Sequence, residues 1–204
     1  IPTEQEIDAL IAGCGNKTAT FLQLLKETAM RAGEANSLLW TNVDFERRTI
    51  TLNKPEKGGN ARIFNASNKM IGMLNALPKT SLRIFGKSPT SFRKSAFYQT
   101  RKILAKKLQN HRLQRISFHT LRHWKATTLY HQTKDILYVK QFLGHRKVET
   151  TLLYIQLAEA IFKEATDEFT VRVATEPDEI KALLEVGFEF VCEKDGLVYF
   201  RKRK

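Results

Sequence analysis

The feature that most constrains this chain is a change of hydrophobic period partway along it. Up to Gly33, and again beyond Lys69, apolar residues recur at three- and four-residue spacing, whereas between Arg48 and Ala66 they alternate. A period near 3.6 turns one face of a helix toward a core, and a period of 2 does the same for a strand. The expected fold class is mainly α with a small antiparallel β-sheet (α+β), one hairpin interrupting a series of helices.

Local signals set the expected boundaries. Pro2-Thr3-Glu4-Gln5-Glu6 ahead of Ile7, Leu10 and Ile11 reads as a capped amphipathic helix closed by Gly13 and Gly15. A second helix is expected from Lys17 to Met30, with Gly33 as its stop. Arg48 to Asn53 and Ala61 to Ala66 read as strands, joined by a long tip holding Pro55, Gly58 and Gly59. Further helices are expected from Lys69 to Leu77, Pro89 to Asn110, Thr120 to Tyr130, Lys134 to Leu143 and Val148 to Thr166. The end of the chain changes character: an alternating Phe169 to Val173, a capped helix from Thr175 to Val186, and strands around Asp195-Gly196.

A chain of 204 residues can bury a core of its own without disulfides or metal. We expect a main domain over residues 1–168 and a strand-helix-hairpin appendage over 169–204, packed on the core or on a neighbouring subunit. The two cysteines, Cys14 and Cys192, lie far apart in segments read as helix and strand, which favours a reducing cytoplasmic setting and leaves no zinc site to assemble. No apolar run reaches membrane-spanning length. Thirty-four Lys and Arg against 21 Asp and Glu give a net charge of +13, and so strong an excess points to a polyanionic partner, nucleic acid before membrane surface. Basic residues of the long helix, among them Arg93, Lys94, Arg101 and Lys102, are as readily a solvated face as a DNA contact.

The residues with chemical potential are scattered. Arg31 stands at the expected end of a helix, Lys57 at the hairpin tip, and His119 and Arg122 three apart at a helix start. His145 follows Gly144, and Tyr154 lies nine residues beyond it. An i, i+3 pair shares a helix face, so His119 and Arg122 are able to touch one phosphate. Singly, each has an ordinary reading: a helix-end arginine, a solvated lysine, a histidine bonded to backbone, a packed tyrosine. Their order and spacing together outweigh those readings.

Arg31-Ala32-Gly33-Glu34-Ala35 with Leu38 and Trp40, Lys57 in the hairpin, His119-Thr120-Leu121-Arg122-His123, Leu143-Gly144-His145, and Tyr154 resemble, in that order, the motifs of the tyrosine recombinases, also called phage integrases. The resemblance covers roughly residues 1 to 165. The Pro55-Glu56-Lys57-Gly58-Gly59 tip and the tail are most similar to archaeal and archaeal-virus members. It implies the family's catalytic-domain fold and a catalytic set of Arg31, Lys57, His119, Arg122, His145 and Tyr154. Double-stranded DNA and further copies of the chain on that DNA are the implied partners. Family members carry an upstream helical DNA-clamping domain, for which this sequence leaves no room ahead of Ile1, so DNA binding by this chain is expected to be largely non-specific.

The implied chemistry breaks and rejoins DNA through a 3′-phosphotyrosyl bond to Tyr154. A free tyrosine is only about one part in a thousand phenolate at pH 7, so the site must offset roughly 4 kcal/mol. By the resemblance, Arg31 and Arg122 neutralise the non-bridging phosphate oxygens, with His145 as a further donor. Lys57 protonates the leaving 5′ oxygen, and the base is either His119 or the bound DNA or water. No cofactor or metal is expected, since the sequence has neither a Gly-rich nucleotide loop nor the clustered carboxylates of a two-metal nuclease. Two readings stand beside this one: a type IB topoisomerase, in which Lys-x-x-Arg takes the place of His119-x-x-Arg122, and a non-catalytic DNA-binding module.

Overall fold

A computed structural model describes residues 1–162, 169–194 and 196–203. The chain divides into two compact units, Ile1–Ile161 and Phe162–Lys204. In the first, α1 (Glu4–Ala12) starts at Thr3, whose side chain accepts the Glu6 N–H while the Glu6 carboxylate accepts that of Thr3. This reciprocal pair satisfies two N–H groups that a helix start otherwise leaves bare. α2 (Asn16–Thr28) packs against α1 and buries Phe21, Leu22, Leu24 and Leu25. The ring of Phe21 meets Phe85 and Phe118 edge-on at 5.0 and 5.2 Å, and Phe97 stacks on Phe118. Buried side chains of this size contribute about 1.5–3 kcal/mol each before ordering costs.

α2 was expected to reach Met30 and to end with Arg31 at its close; it stops instead at Thr28. Ala29 adopts a left-handed backbone with φ 52°, a conformation that costs a non-glycine residue about 1–2 kcal/mol. Arg31 consequently begins the next helix, α3 (Ala32–Ser37), which the sequence had not announced. The turn aims the Ala29 carbonyl at a buried arginine described below.

The hairpin is present and has a third strand. β1 (Val43–Asp44), β2 (Thr49–Leu52) and β3 (Arg62–Asn65) form an antiparallel sheet in that order, with Ile50 opposite both Val43 and Phe64. β1 is too short to show a period. α4 (Asn68–Asn75) and α5 (Thr90–Lys107) follow, then α6 (Phe118–Thr133), capped by Ser117, whose side chain accepts the Thr120 N–H. α7 (Ile136–Leu143) is capped by Asp135 and closed by Gly144, and α8 (Glu149–Ile161) packs against α6 and α7. The stretch of the expected helix that runs on to Thr166 lies partly outside the described residues. Cys14, read as helical, lies in the turn after α1.

The second unit holds β4 (Phe169–Ala174), α9 (Pro177–Glu185), β5 (Glu189–Lys194) and β6 (Leu197–Arg203), the strands antiparallel in the order β4-β6-β5. The expected strands thus lie on either side of the Asp195-Gly196 pair, of which Asp195 lies outside the described residues. Phe200 is buried and Phe190 meets it edge-on, yet Phe190 and Val171 are themselves well exposed.

No helix of the described residues is long and apolar enough to cross a membrane.

Candidate active site

Arg122 lies on the first turn and a half of α6, 2 % exposed. One guanidinium nitrogen donates to the Ala29 carbonyl at 2.6 Å; the other donates to the Leu143 carbonyl at 2.9 Å and to Nε2 of His145 at 3.0 Å. Three of its five N–H groups are thereby engaged, and two remain for an anion. Burial, and then the charges of Arg31 and Arg62, pull its pKa down to about 10. It is still protonated at neutral pH.

Arg31 places one guanidinium nitrogen on the Glu34 carboxylate at 3.1 Å and on the Glu56 carbonyl at 3.2 Å. Arg31 also lines a cavity of about 610 Å³ together with Lys57, His119, Lys94, Tyr98 and Arg101. Lys57 is exposed at the hairpin tip with φ 55°. The tip is not a free loop: Glu34 accepts the Glu56 N–H at 3.0 Å, Arg31 holds the Glu56 carbonyl, and the Asn60 N–H reaches the Gly144 carbonyl at 3.2 Å. Gly33 lies so close beneath Glu56 that any Cβ there would overlap its carboxylate.

His119 edges the cavity from α6, and burial followed by the charges of Arg122, Arg31 and Lys57 lowers its pKa. His145 is pushed further, to about 4, by burial and then by Arg122, Arg31 and Arg62. Both imidazoles are therefore neutral at pH 7. Tyr154 is 3 % exposed, packed among Ala29, Ala126, Leu129, Val139 and Leu143. Burial raises its pKa, opposed by the charges of Arg122 and Arg31. At rest it is a weaker acid than a free tyrosine, so the cations nearby do not by themselves create a phenolate.

The structure therefore brings Arg122, His145 and Tyr154 together behind the cavity, with Arg31, Lys57 and His119 on its wall. Without a bound phosphate, Nε2 of His145 is an acceptor, whereas the resemblance implies a donor once phosphate is bound. An arginine only donates, so Nε2 accepts from Arg122, and Nδ1 faces the Thr151 hydroxyl at 2.9 Å.

Four residues of the site carried no assigned role in the sequence reading. Glu34, fully buried, accepts from the backbone of Arg31 and Glu56 and pairs with Arg62 at 2.8 Å. Arg62, on β3, also donates to the Leu143 carbonyl at 2.6 Å, so that one oxygen serves two arginines. Thr151 holds His145. His123 lies between His119 and Tyr154, its ring 4.5 Å from the first and 5.7 Å from the second. The two motif neighbours, Glu34 and His123, were visible beside Arg31 and Arg122; nothing in sequence singles out Arg62, whose partners lie 28 and 81 residues away, or Thr151, an ordinary helix-start threonine.

Glu34 and His145 both predict acid sensitivity. Burial opposes ionisation of Glu34, but the Arg31 N–H, the Arg62 charge and the Glu56 N–H together hold its carboxyl below the usual range. Stability from a depressed carboxylate is present above its unfolded pKa and lost as pH falls through the folded one. For His145, lowered from 6.5 to about 4, the loss runs through the window between those values. The thermal midpoint should fall on acidification from pH 6.5, with a shallower fall in His145→Gln. Glu34→Ala, which strands a buried arginine, should cost about 3–5 kcal/mol in denaturant unfolding. A loss below about 1 kcal/mol would deny Glu34 this place in the network.

The described site is thus a helical domain with a short hairpin, in which a buried arginine bonds an imidazole and a buried tyrosine packs in the neighbouring cluster. The description "Phage integrase family" matches residues 2–160, and the chain belongs to that family. Tyrosine recombinase XerD of Neisseria meningitidis is 28% identical over 172 residues, 76% of this chain and 58% of that protein. Tyrosine recombinase XerA of Pyrococcus horikoshii is 25% identical over 171 residues, 81% of this chain and 60% of that protein. The chain thus spans little more than half the length of these relatives. Among solved structures, the catalytic domain of bacteriophage HP1 integrase shares the fold with a TM-score of 0.59 at 25% identity, covering 81% of this chain and 92% of that one. A crystal structure of XerA recombinase gives 0.65 at 23% identity, covering 79% and 62%.

Proposed function

We propose that this chain is the catalytic domain of a site-specific tyrosine recombinase that cleaves and rejoins double-stranded DNA without metal or ATP. The observation that carries the reading is the convergence on Arg122 of contacts from Ala29, Leu143 and His145, with Tyr154 in the same cluster of the same chain. Sequence-distant motifs that meet around one cation are what a phosphate-transfer site requires. The open N–H groups of Arg31 and Arg122 bind the non-bridging oxygens of the scissile phosphate. The phenolic oxygen of Tyr154 attacks phosphorus in cis, the P–O5′ bond breaks, and the Lys57 ammonium gives its proton to the departing oxygen. The phenolic proton passes to a neutral imidazole, with His119 at the cavity and His123 between it and the tyrosine.

The ester keeps the energy of the broken bond, so a new 5′-hydroxyl rejoins the strand by the reverse steps. Recombination needs several copies on DNA, and we assign the same requirement here. Cys14 and Cys192 are free, and burial raises the Cys14 thiol to about 11, a protonated form that suits a reducing cytoplasm. A nicked suicide duplex, from which the cleaved end diffuses away, should trap a covalent protein–DNA adduct in the presence of a chelator. No adduct on any family-type target would leave a DNA-binding module as the better description.

A further inference from the structure

His145 has two neighbours of unequal freedom. Toward Arg122 it must accept, since a guanidinium has no lone pair to offer, so the single ring proton sits on Nδ1 and donates to Thr151. The ring is neutral, held so by burial and by Arg122, Arg31 and Arg62. A ring in that state has nothing to give a phosphate. The role that the family resemblance implies for His145, a donor to the scissile phosphate, needs the opposite tautomer, protonated at Nε2.

The two states make contrary demands on whatever faces Nδ1: an acceptor at rest, a donor once phosphate is bound. A carbonyl meets only the first demand and an ammonium only the second, but a hydroxyl meets both. Thr151 supplies that hydroxyl from the first turn of α8, 0 % exposed. Its β-branched side chain, clamped by burial, keeps the oxygen in place while the hydrogen remains free to turn. His145 itself is half-buried rather than sealed from solvent.

We propose that Thr151 is a positioning residue that lets His145 exchange tautomers, turning from an acceptor for Arg122 into a donor for the scissile phosphate. The inference rests on the reading of His145 as a phosphate ligand. When the phosphate captures the Arg122 N–H, Nε2 is released and takes a proton from water. Nδ1 gives its own proton to water, and the Thr151 hydroxyl turns to donate to the bared nitrogen. The ring stays neutral, only N–H bonds change, and no other reactant enters. The same phosphate gains two donors at once, because the Arg122–His145 bond that is given up had occupied both.

The test reads protons directly. In Tyr154→Phe protein labelled with ¹⁵N in its histidines, His145 should be protonated at Nδ1 when free. It should be protonated at Nε2 on a duplex that the unaltered protein is shown to attack. A free ring protonated at Nε2, a tautomer unchanged by DNA, or a complex with both nitrogens protonated would each overturn the proposal. Thr151→Val keeps the shape but removes the hydroxyl and should slow cleavage by roughly 10–100-fold, whereas Thr151→Ser should restore most of the rate. A valine variant as fast as the unaltered protein would also overturn it, and if that variant does not fold, the tautomer measurement still decides. Undiminished cleavage by His145→Ala would instead remove the phosphate-ligand reading, whatever the tautomers of the free protein.

Discussion

Tyr154→Phe should form no covalent adduct with a nicked duplex and should bind that duplex as the unaltered protein does. The substitution deletes one oxygen from a side chain packed among Ala29, Ala126, Leu129, Val139 and Leu143, and phenylalanine has the same outline, so the fold is kept. What disappears is the oxygen proposed to form the bond to phosphorus. Losing the nucleophile of a covalent mechanism costs on the order of 10⁵-fold or more, which places cleavage below detection. Gel shift separates binding from chemistry, and denaturing electrophoresis detects the adduct. An adduct that survives moves the nucleophile elsewhere, and Tyr130 and Tyr138 are then the next tyrosines to replace. Burial, which raises the pKa of Tyr154, adds that the unaltered protein should not react with small phosphodiesters.

Lys57→Ala should cleave ordinary DNA slower by roughly 10²–10⁴-fold, the range for loss of a general acid, and should be rescued by sulfur in place of the bridging 5′ oxygen. A thiol ionises near pKa 8.5, far below an alcohol, and leaves without a proton. Arg31→Ala and Arg122→Ala should not be rescued, because the roles proposed for them are on the non-bridging oxygens. The rescue carries weight because the hairpin tip is held by Glu34, Arg31 and Gly144 independently of the lysine side chain. Lys57→Ala therefore leaves the tip in place. Equal slowness on both substrates would assign Lys57 to binding and turn attention to Lys54.

Fold class and the six proposed site residues were legible in the sequence because both rest on local signals: hydrophobic period, capping residues, and short motifs in a set order. The boundaries that failed did so where tertiary contact overrides propensity. Nothing in Glu27-Thr28-Ala29-Met30 announces a left-handed alanine, but the Ala29 carbonyl is needed by Arg122, 93 residues away. β1 is two residues long and exists only because β2 lies beside it. The state of His145 was illegible for a related reason: a sequence shows that a histidine is present but not which nitrogen faces an arginine.

The Leu143 carbonyl, shared by Arg62 from the hairpin and Arg122 from α6 at the close of α7, ties competence to completion. A copy that has formed its helices but not docked the hairpin still possesses the tyrosine, yet lacks one of the two arginines that meet on this oxygen. On the function proposed above, cleavage would then wait until the chain has finished folding.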